Sequence, residues 1–324
     1  MKRWMAAAAV TVLAAGCGGG DGEGQATSPS YYLSLGDSLT VGVQPDENGV
    51  PEETSEGYTD VLHRTLYDAD STLRHERMGC GGEDTTTFLQ GGLPDCDERY
   101  ESGSQLEEAE AFLTEHEGQV DLVTLTIGGN NFTRCVEGVE DPESPEDVEI
   151  DEECVADGLE RVETEIPVIA ERLRDAAGPD TQIIGMTYYN PFLALLLLDD
   201  SPAEEAAEAA GESEGEEAEE PDGDTGVEST DDDSLAEYSV DILTELNESL
   251  IASYSAAGID VADVDAVFES DNAQVPSDSD TGMPTNLQNI CDLTWMCDTE
   301  RGPDIHTTPA GAKEIAAVFA EQVR

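Results

Sequence analysis

The chain has 324 residues, of which 75 are acidic and 13 basic, giving a formal charge of −62 at neutral pH. This excess excludes nucleic acid as a partner and excludes docking of the protein's own surface on anionic lipid, because each is itself negative. The length admits a buried core and nothing repeats internally, so the apolar segments read as one α/β unit with a leader and loop insertions.

At the N-terminus, Lys2 and Arg3 precede an apolar stretch that ends in Gly16-Cys17, too short for a comfortable membrane span and patterned as an export signal. Its end, Leu13-Ala14-Ala15-Gly16-Cys17, resembles a bacterial lipoprotein cleavage site, although Ala14 stands where that pattern usually has Leu. The resemblance implies removal of residues 1–16 and acylation of Cys17, hence an exported protein held at the cell surface. Ordinary secretion is the alternative. Residues 17–30, polar and Gly-rich, read as a flexible tether to a domain spanning 31–324.

Apolar runs predict strands over 31–35, 73–78, 122–127, 183–188 and 259–264. Helical spacing predicts helices over 58–67, 106–115, 155–176, 235–257 and 309–323. This alternation implies a parallel sheet covered on both faces, with ligands beyond the carboxyl ends of its strands. Residues 137–153 read as an acidic loop cinched by a cysteine bridge. Residues 201–233, rich in Ala, Glu, Gly and Asp with no Lys or Arg, bury too little apolar area to offset their ordering entropy and predict a disordered, solvated spacer. Their acids lack the spacing of a calcium loop. The apolar run 191–198 just before them reads equally as the wall of an apolar pocket or as a buried helix.

Setting aside Cys17, the chain keeps Cys80, Cys96, Cys135, Cys154, Cys291 and Cys297. They fall into sequence-local pairs, Cys80 with Cys96, Cys135 with Cys154 and Cys291 with Cys297, which fits an oxidising compartment, although proximity leaves other pairings open. Zinc is disfavoured: paired Cys-x-x-Cys arms are missing, and His63, His75, His116 and His306 do not cluster in sequence. No metal or other cofactor is expected. The self-repulsion of so acidic a chain is relieved by salt, which at 1 M shortens the Debye length to about 3 Å, so a saline environment is expected.

The strand over 31–35 runs into Gly36-Asp37-Ser38-Leu39, which predicts a serine where a strand turns into a helix. There its backbone N–H is unpaired, with the positive end of the helix dipole behind it, and its hydroxyl is placed to attack. The same tetrapeptide also suits an ordinary cap or turn, so partners decide. Downstream stand Gly79-Cys80-Gly81-Gly82-Glu83-Asp84-Thr85, Ile127-Gly128-Gly129-Asn130-Asn131 and Asp304-Ile305-His306. Ser38, Gly82 and Asn130 each follow a predicted strand and therefore converge on one rim of the sheet.

Together these segments resemble the four blocks of the SGNH, or GDSL, hydrolase family across nearly the whole mature chain. The cysteine-rich pattern, with Cys291-Asp292-Leu293-Thr294-Trp295-Met296-Cys297 just before the histidine block, looks most like the secreted lipase and esterase branch found in actinobacteria. The resemblance implies a three-layer, flavodoxin-like α/β fold on a five-stranded parallel sheet, and serine-dependent hydrolysis of carboxylic esters. It assigns Ser38 as nucleophile, His306 as base, and an oxyanion hole of the Ser38 N–H, the Gly82 N–H and the Asn130 side-chain amide. Gly79 and Gly81 compete with Gly82, which is chosen by its register in the second block and because a residue without Cβ permits close approach. Asn131 replaces the family's usual Asp and puts a supporting hydrogen bond in question. The family's Asp three residues before the histidine is here Pro303, so the ring is oriented either by Asp304 through a different turn or by a main-chain carbonyl such as that of Pro303; the carbonyl is favoured. The rival α/β-hydrolase motif Gly-x-Ser-x-Gly is not met around Ser38. Other functions with compatible features are a carbohydrate O-acetylesterase, which needs a shallow polar cleft, and a non-catalytic glycan-binding surface lipoprotein. The run 191–198 favours acyl esters. An ester substrate, a membrane reached only through the lipid anchor, no nucleic acid and a monomeric state complete the expectations.

Overall fold

The computed structural model describes residues 29–132, 135–137, 149–197, 231–277, 279 and 281–324. The expectations for the leader, Cys17, nearly all of the tether and most of the 201–233 insert lie outside the described residues. The strands are β1 (Tyr31–Gly36), a hairpin of β2 (Val43–Pro45) and β3 (Pro51–Glu53), β4 (Arg74–Arg77), β5 (Val120–Thr126), a second hairpin of β6 (Val136–Glu137) and β7 (Glu149–Ile150), β8 (Gln182–Met186) and β9 (Asp260–Ala262). The helices are α1 (Tyr58–Ala69), α2 (Thr85–Gln90), α3 (Pro94–Asp97), α4 (Gln105–Glu115), α5 (Glu152–Ala177), α6 (Asp231–Ala256), α7 (Asp265–Phe268), α8 (Thr285–Leu293) and α9 (Pro309–Gln322), with 3-10 turns at Gly129–Asn131 and Pro191–Leu197.

One five-stranded sheet runs in the order β4-β1-β5-β8-β9 with every pairing parallel, the flavodoxin-like order in which the first strand lies between the second and third. The central strands are buried on both faces, which explains their nearly unbroken apolar sequence. Leu33, Leu35, Val123 and Leu125 are completely buried on one side, each contributing roughly 1.5–3 kcal/mol by leaving water. On the other side the Tyr32 hydroxyl pairs with Thr124 Oγ1 at 2.9 Å and the Tyr58 hydroxyl with Thr126 Oγ1 at 2.6 Å, so the buried polar groups are satisfied. Tyr58 of α1 stacks on Phe319 of α9 with ring centroids 4.8 Å apart, while α4, α5 and α6 pack as a second group. Tyr254 of α6 lies across Gly185, which is in register with Leu125. The layers are therefore helix, sheet and helix.

The three expected disulfides are present, Cys80–Cys96, Cys135–Cys154 and Cys291–Cys297. Several expectations need correction. No helix follows Ser38; hydrogen-bonded turns over 38–42 lead into the β2–β3 hairpin instead. Residues 231–233, assigned to the disordered insert, open α6. The excursion over 137–153 has its expected Cys135–Cys154 bridge and is bounded by the β6–β7 pair and by the first residues of α5, where Asp151 accepts hydrogen bonds from the Glu153 and Cys154 N–H groups, both at 3.0 Å; residues 138–148 lie outside the described residues. Among the described residues no helix is long and apolar enough to cross a membrane.

Candidate active site

At the end of β1, Gly36 has φ of 128°, and a Cβ there would lie 1.9 Å from the Thr126 carbonyl oxygen, so only glycine lets β1 turn over the end of β5. Its peptide is gripped by the first residue of α4: the Gly36 N–H donates to Gln105 Oε1 at 2.6 Å and Gln105 Nε2 donates to the Gly36 carbonyl at 3.0 Å. Asp37 Oδ1 then accepts the Leu39 N–H at 3.0 Å, and the Asp37 carbonyl accepts the Thr40 N–H at 3.1 Å, closing a tight turn that carries a half-exposed Ser38. The Ser38 carbonyl accepts the Val43 N–H at 3.0 Å, whereas the Ser38 N–H enters no hydrogen bond among the described residues. The unpaired N–H expected of a helix end is thus supplied by a turn, and no helix dipole stands behind it.

Asp37 is 2% exposed. Burial pushes its carboxyl up to about 6, against the opposing effect of hydrogen bonds from the Tyr188 hydroxyl at 2.5 Å and the Leu39 N–H. The sequence does not announce Asp37 and Tyr188 as site residues: the apolar run 183–188 predicts a strand through Tyr188, whereas the strand stops at Met186.

The second and third blocks meet across the sheet rim. The Cys80–Cys96 bridge fastens the glycine loop, and Asp84 caps α2 by accepting the Thr87 N–H at 2.8 Å. Asn130 Nδ2 donates to the Glu83 carbonyl at 3.0 Å, which fixes the amide plane. Asn131 Oδ1 accepts the Thr85 N–H at 3.1 Å, and its Nδ2 donates to Thr85 Oγ1 at 2.8 Å and to the Gly158 carbonyl at 3.3 Å. The support that the Asn-for-Asp replacement put in question is therefore made, two of its three bonds by an amide N–H that an ionised Asp lacks. From α5, Arg161 clamps the same junction, pairing with Asp84 at 3.0 Å and donating to the Asn131 carbonyl at 3.0 Å.

His306 sits in the loop before α9, which starts at Pro309 with Thr308 as its cap. Its Nδ1 is 2.7 Å from Asp304 Oδ1, and the same oxygen accepts the His306 backbone N–H at 2.8 Å. The favoured Pro303 carbonyl is thus corrected: the hydrogen-bond partner of the ring is Asp304, reached because its carboxylate folds back in a two-residue loop. Burial raises the Asp304 carboxyl, but the His306 hydrogen bonds and ring charge outweigh it and hold it below the ordinary value. An ionised carboxylate only accepts, so Nδ1 carries the hydrogen and Nε2 is the basic nitrogen. Around this pair, the Trp295 N–H donates to the His306 carbonyl at 3.0 Å and the Tyr189 hydroxyl to the Ile305 carbonyl at 2.7 Å. The Cys291–Cys297 bridge closes the segment that carries Trp295.

Ser38, Asn130 and His306 line one cleft enclosing about 690 Å³ including its open mouth. Gly82 does not line it; its φ is 85°, and its neighbour Gly81 runs beside the serine, where a Cβ would lie 3.8 Å from Ser38 Cβ. The other walls are mainly apolar. Pro191 and Phe192 line the cleft while Leu193 and Ala194 are buried, so residues 191–194 of that run serve as both pocket wall and packing element; residue 198 lies outside the described residues. A further wall comes from α6 through Ser239, Ile242, Leu243 and Leu246, which share one helical face. Among the described residues no three His, Cys, Asp or Glu side chains gather to hold a metal ion.

The sequence profile of the GDSL-like Lipase/Acylhydrolase family matches residues 34–314. Among solved structures, the chain is similar to the extracellular lipase of Streptomyces rimosus, at 16% identity and TM-score 0.46 over 90% of this chain and 99% of that one. It is similar also to phospholipase A1 of Streptomyces albidoflavus NA297, at 17% identity and TM-score 0.45 over 91% and 99% of the two chains. The aryl esterase of M. smegmatis gives 17% identity and TM-score 0.43 over 91% and 99%. A search of curated protein sequences returns no match. The profile spans all four blocks from β1 to α9, and the chain belongs to the GDSL-like lipase/acylhydrolase family.

Proposed function

We propose that this protein is a serine esterase that hydrolyses carboxylic esters with an apolar acyl group. The observation that carries the reading is the meeting of Ser38 and His306 on one mainly apolar cleft, with His306 Nδ1 held by Asp304. Ser38 Oγ attacks the ester carbonyl as its proton passes to His306 Nε2, giving a tetrahedral oxyanion and an imidazolium faced by Asp304. The oxyanion is received by the Ser38 N–H and the Asn130 amide, whose residues line the cleft; losing one such donor typically costs about 3 kcal/mol of transition-state stabilisation. His306 returns its proton to the departing alcohol, and water repeats the sequence to free the acid. A shallow polar cleft, as a carbohydrate O-acetylesterase needs, does not match these walls. To this reading we add export, with anchoring at Cys17 or secretion, and activity in concentrated salt, supported by the leader motif, the three disulfides and the charge of −62.

Hydrolysis of p-nitrophenyl esters from acetate to palmitate, across salt concentrations and with Ser38→Ala as control, tests it. The expected result is a preference for acyl chains longer than acetyl, strongest at high salt and lost in Ser38→Ala. Turnover confined to acetylated polysaccharide, or kept by Ser38→Ala, would overturn it.

A further inference from the structure

Tyr188 touches both the nucleophile turn and the turn that carries Asn130. Its hydroxyl donates to Asp37 Oδ2 at 2.5 Å, directly behind the Ser38 turn. Its ring covers Gly129, where a Cβ would lie 2.7 Å from Tyr188 Cε1, so the ring seats the turn that presents Asn130. Its peptide is clamped by Asn247 of α6, which accepts the Tyr188 N–H and donates to the Tyr188 carbonyl, both at 2.8 Å. The Tyr188 side chain is itself 7% exposed and lines the cleft.

We propose that Tyr188 is a positioning residue that couples the nucleophile turn to the acyl cleft, holding the Asp37 carboxylate in place as a second negative group facing the imidazolium of His306. This rests on the serine esterase reading above. The titratable groups whose charge acts on Asp37 are Tyr188 and Tyr189 from the loop after β8, Tyr58 of α1, Tyr254 of α6 and His306, which lines the cleft with it; of these only His306 becomes a cation. An ionised Asp37 therefore favours the charge that His306 acquires in the transition state. Removing the phenol oxygen alone takes a donor from the carboxylate and shifts its titration upward, while the ring on Gly129 and the Asn247 clamp stay.

The test is Tyr188→Phe. With Asp37 titrating at about 6 in the parent, an upward displacement empties much of the carboxylate at pH 6 and little of it at pH 8. The expected result is an acid limb of kcat displaced upward, severalfold slower at about pH 6 with the gap closing toward about pH 8. In an Asp37→Asn background the same substitution is expected to leave the profile unmoved. Carbon-detected NMR of the Asp37 carboxyl reads the link without turnover and is expected to show the same displacement. A Tyr188→Phe profile and carboxyl titration that superimpose on the parent, or a displacement that persists without Asp37, would overturn the proposal. A displaced carboxyl titration in a protein that cleaves no ester would overturn the esterase reading and uphold the phenol–carboxylate link.

Discussion

Replacing Asp304 by Asn separates an oriented imidazole from one that is merely nearby. Asp304 Oδ1 takes two donors at once, the His306 Nδ1 at 2.7 Å and the His306 N–H at 2.8 Å, with the side chain 11% exposed. The amide keeps the size and, through one oxygen, an acceptor for both donors but loses the charge that faces the imidazolium, while alanine removes the acceptor as well. In a Ser-His-Asp arrangement, loss of the acid's role lowers kcat by about 10⁴-fold, close to 5 kcal/mol of barrier. The assay is steady-state hydrolysis of a p-nitrophenyl ester by Asp304→Asn and Asp304→Ala, with thermal melts to verify folding. We expect kcat to fall by about 10³- to 10⁴-fold with KM within about threefold. A loss below about tenfold would refute the reasoning and return the orienting role to a backbone carbonyl such as that of Pro303.

Other consequences follow from neighbouring parts of the fold. Ile242→Trp narrows the cleft from its half-buried α6 wall, so kcat/KM for octanoate should fall by about tenfold or more while acetate changes little, as read from an acyl-chain series. Glu83 is 1% exposed, and burial raises its carboxyl from 4.5 to about 7, against a Thr87 hydroxyl hydrogen bond at 2.6 Å. The folded state then binds more protons than the unfolded state between those values, so stability falls as pH rises through that window, by on the order of 3 kcal/mol. Urea unfolding of Glu83→Gln from pH 4 to 8 should lack that fall; curves parallel to the parent would contradict it. Removing the Cys291–Cys297 bridge by paired Ser substitutions should lower stability by roughly 2 kcal/mol and reduce kcat more than it raises KM, because the bridge closes the segment from which Trp295 holds the His306 backbone.

The central strands were legible because burial on both faces leaves mainly apolar runs, as in Leu122 to Ile127, broken only by the buried Thr124 and Thr126, and the long helices because their apolar spacing persists over several turns. The blocks around Ser38, Asn130 and His306 were legible as motifs. What escaped were features decided by short range or by tertiary distance. The turn over 38–42 is closed by Asp37 itself and by the hairpin behind it, so the strand-to-helix expectation failed where a single side chain redirected the backbone. Asp304 lies one place away from the family position, and only the fold of its loop shows that its carboxylate reaches back to the ring. Tyr188 lies 151 residues from Asp37, and no local pattern announces a contact across that span.

Covalent labelling with a fluorophosphonate ester, located by peptide mass spectrometry, reports whether Ser38 is the nucleophile. One adduct is expected, on Ser38 at high salt, absent from Ser38→Ala and strongly slowed in His306→Ala. A folded protein that takes up no label under those conditions, or takes it on another residue, would contradict it.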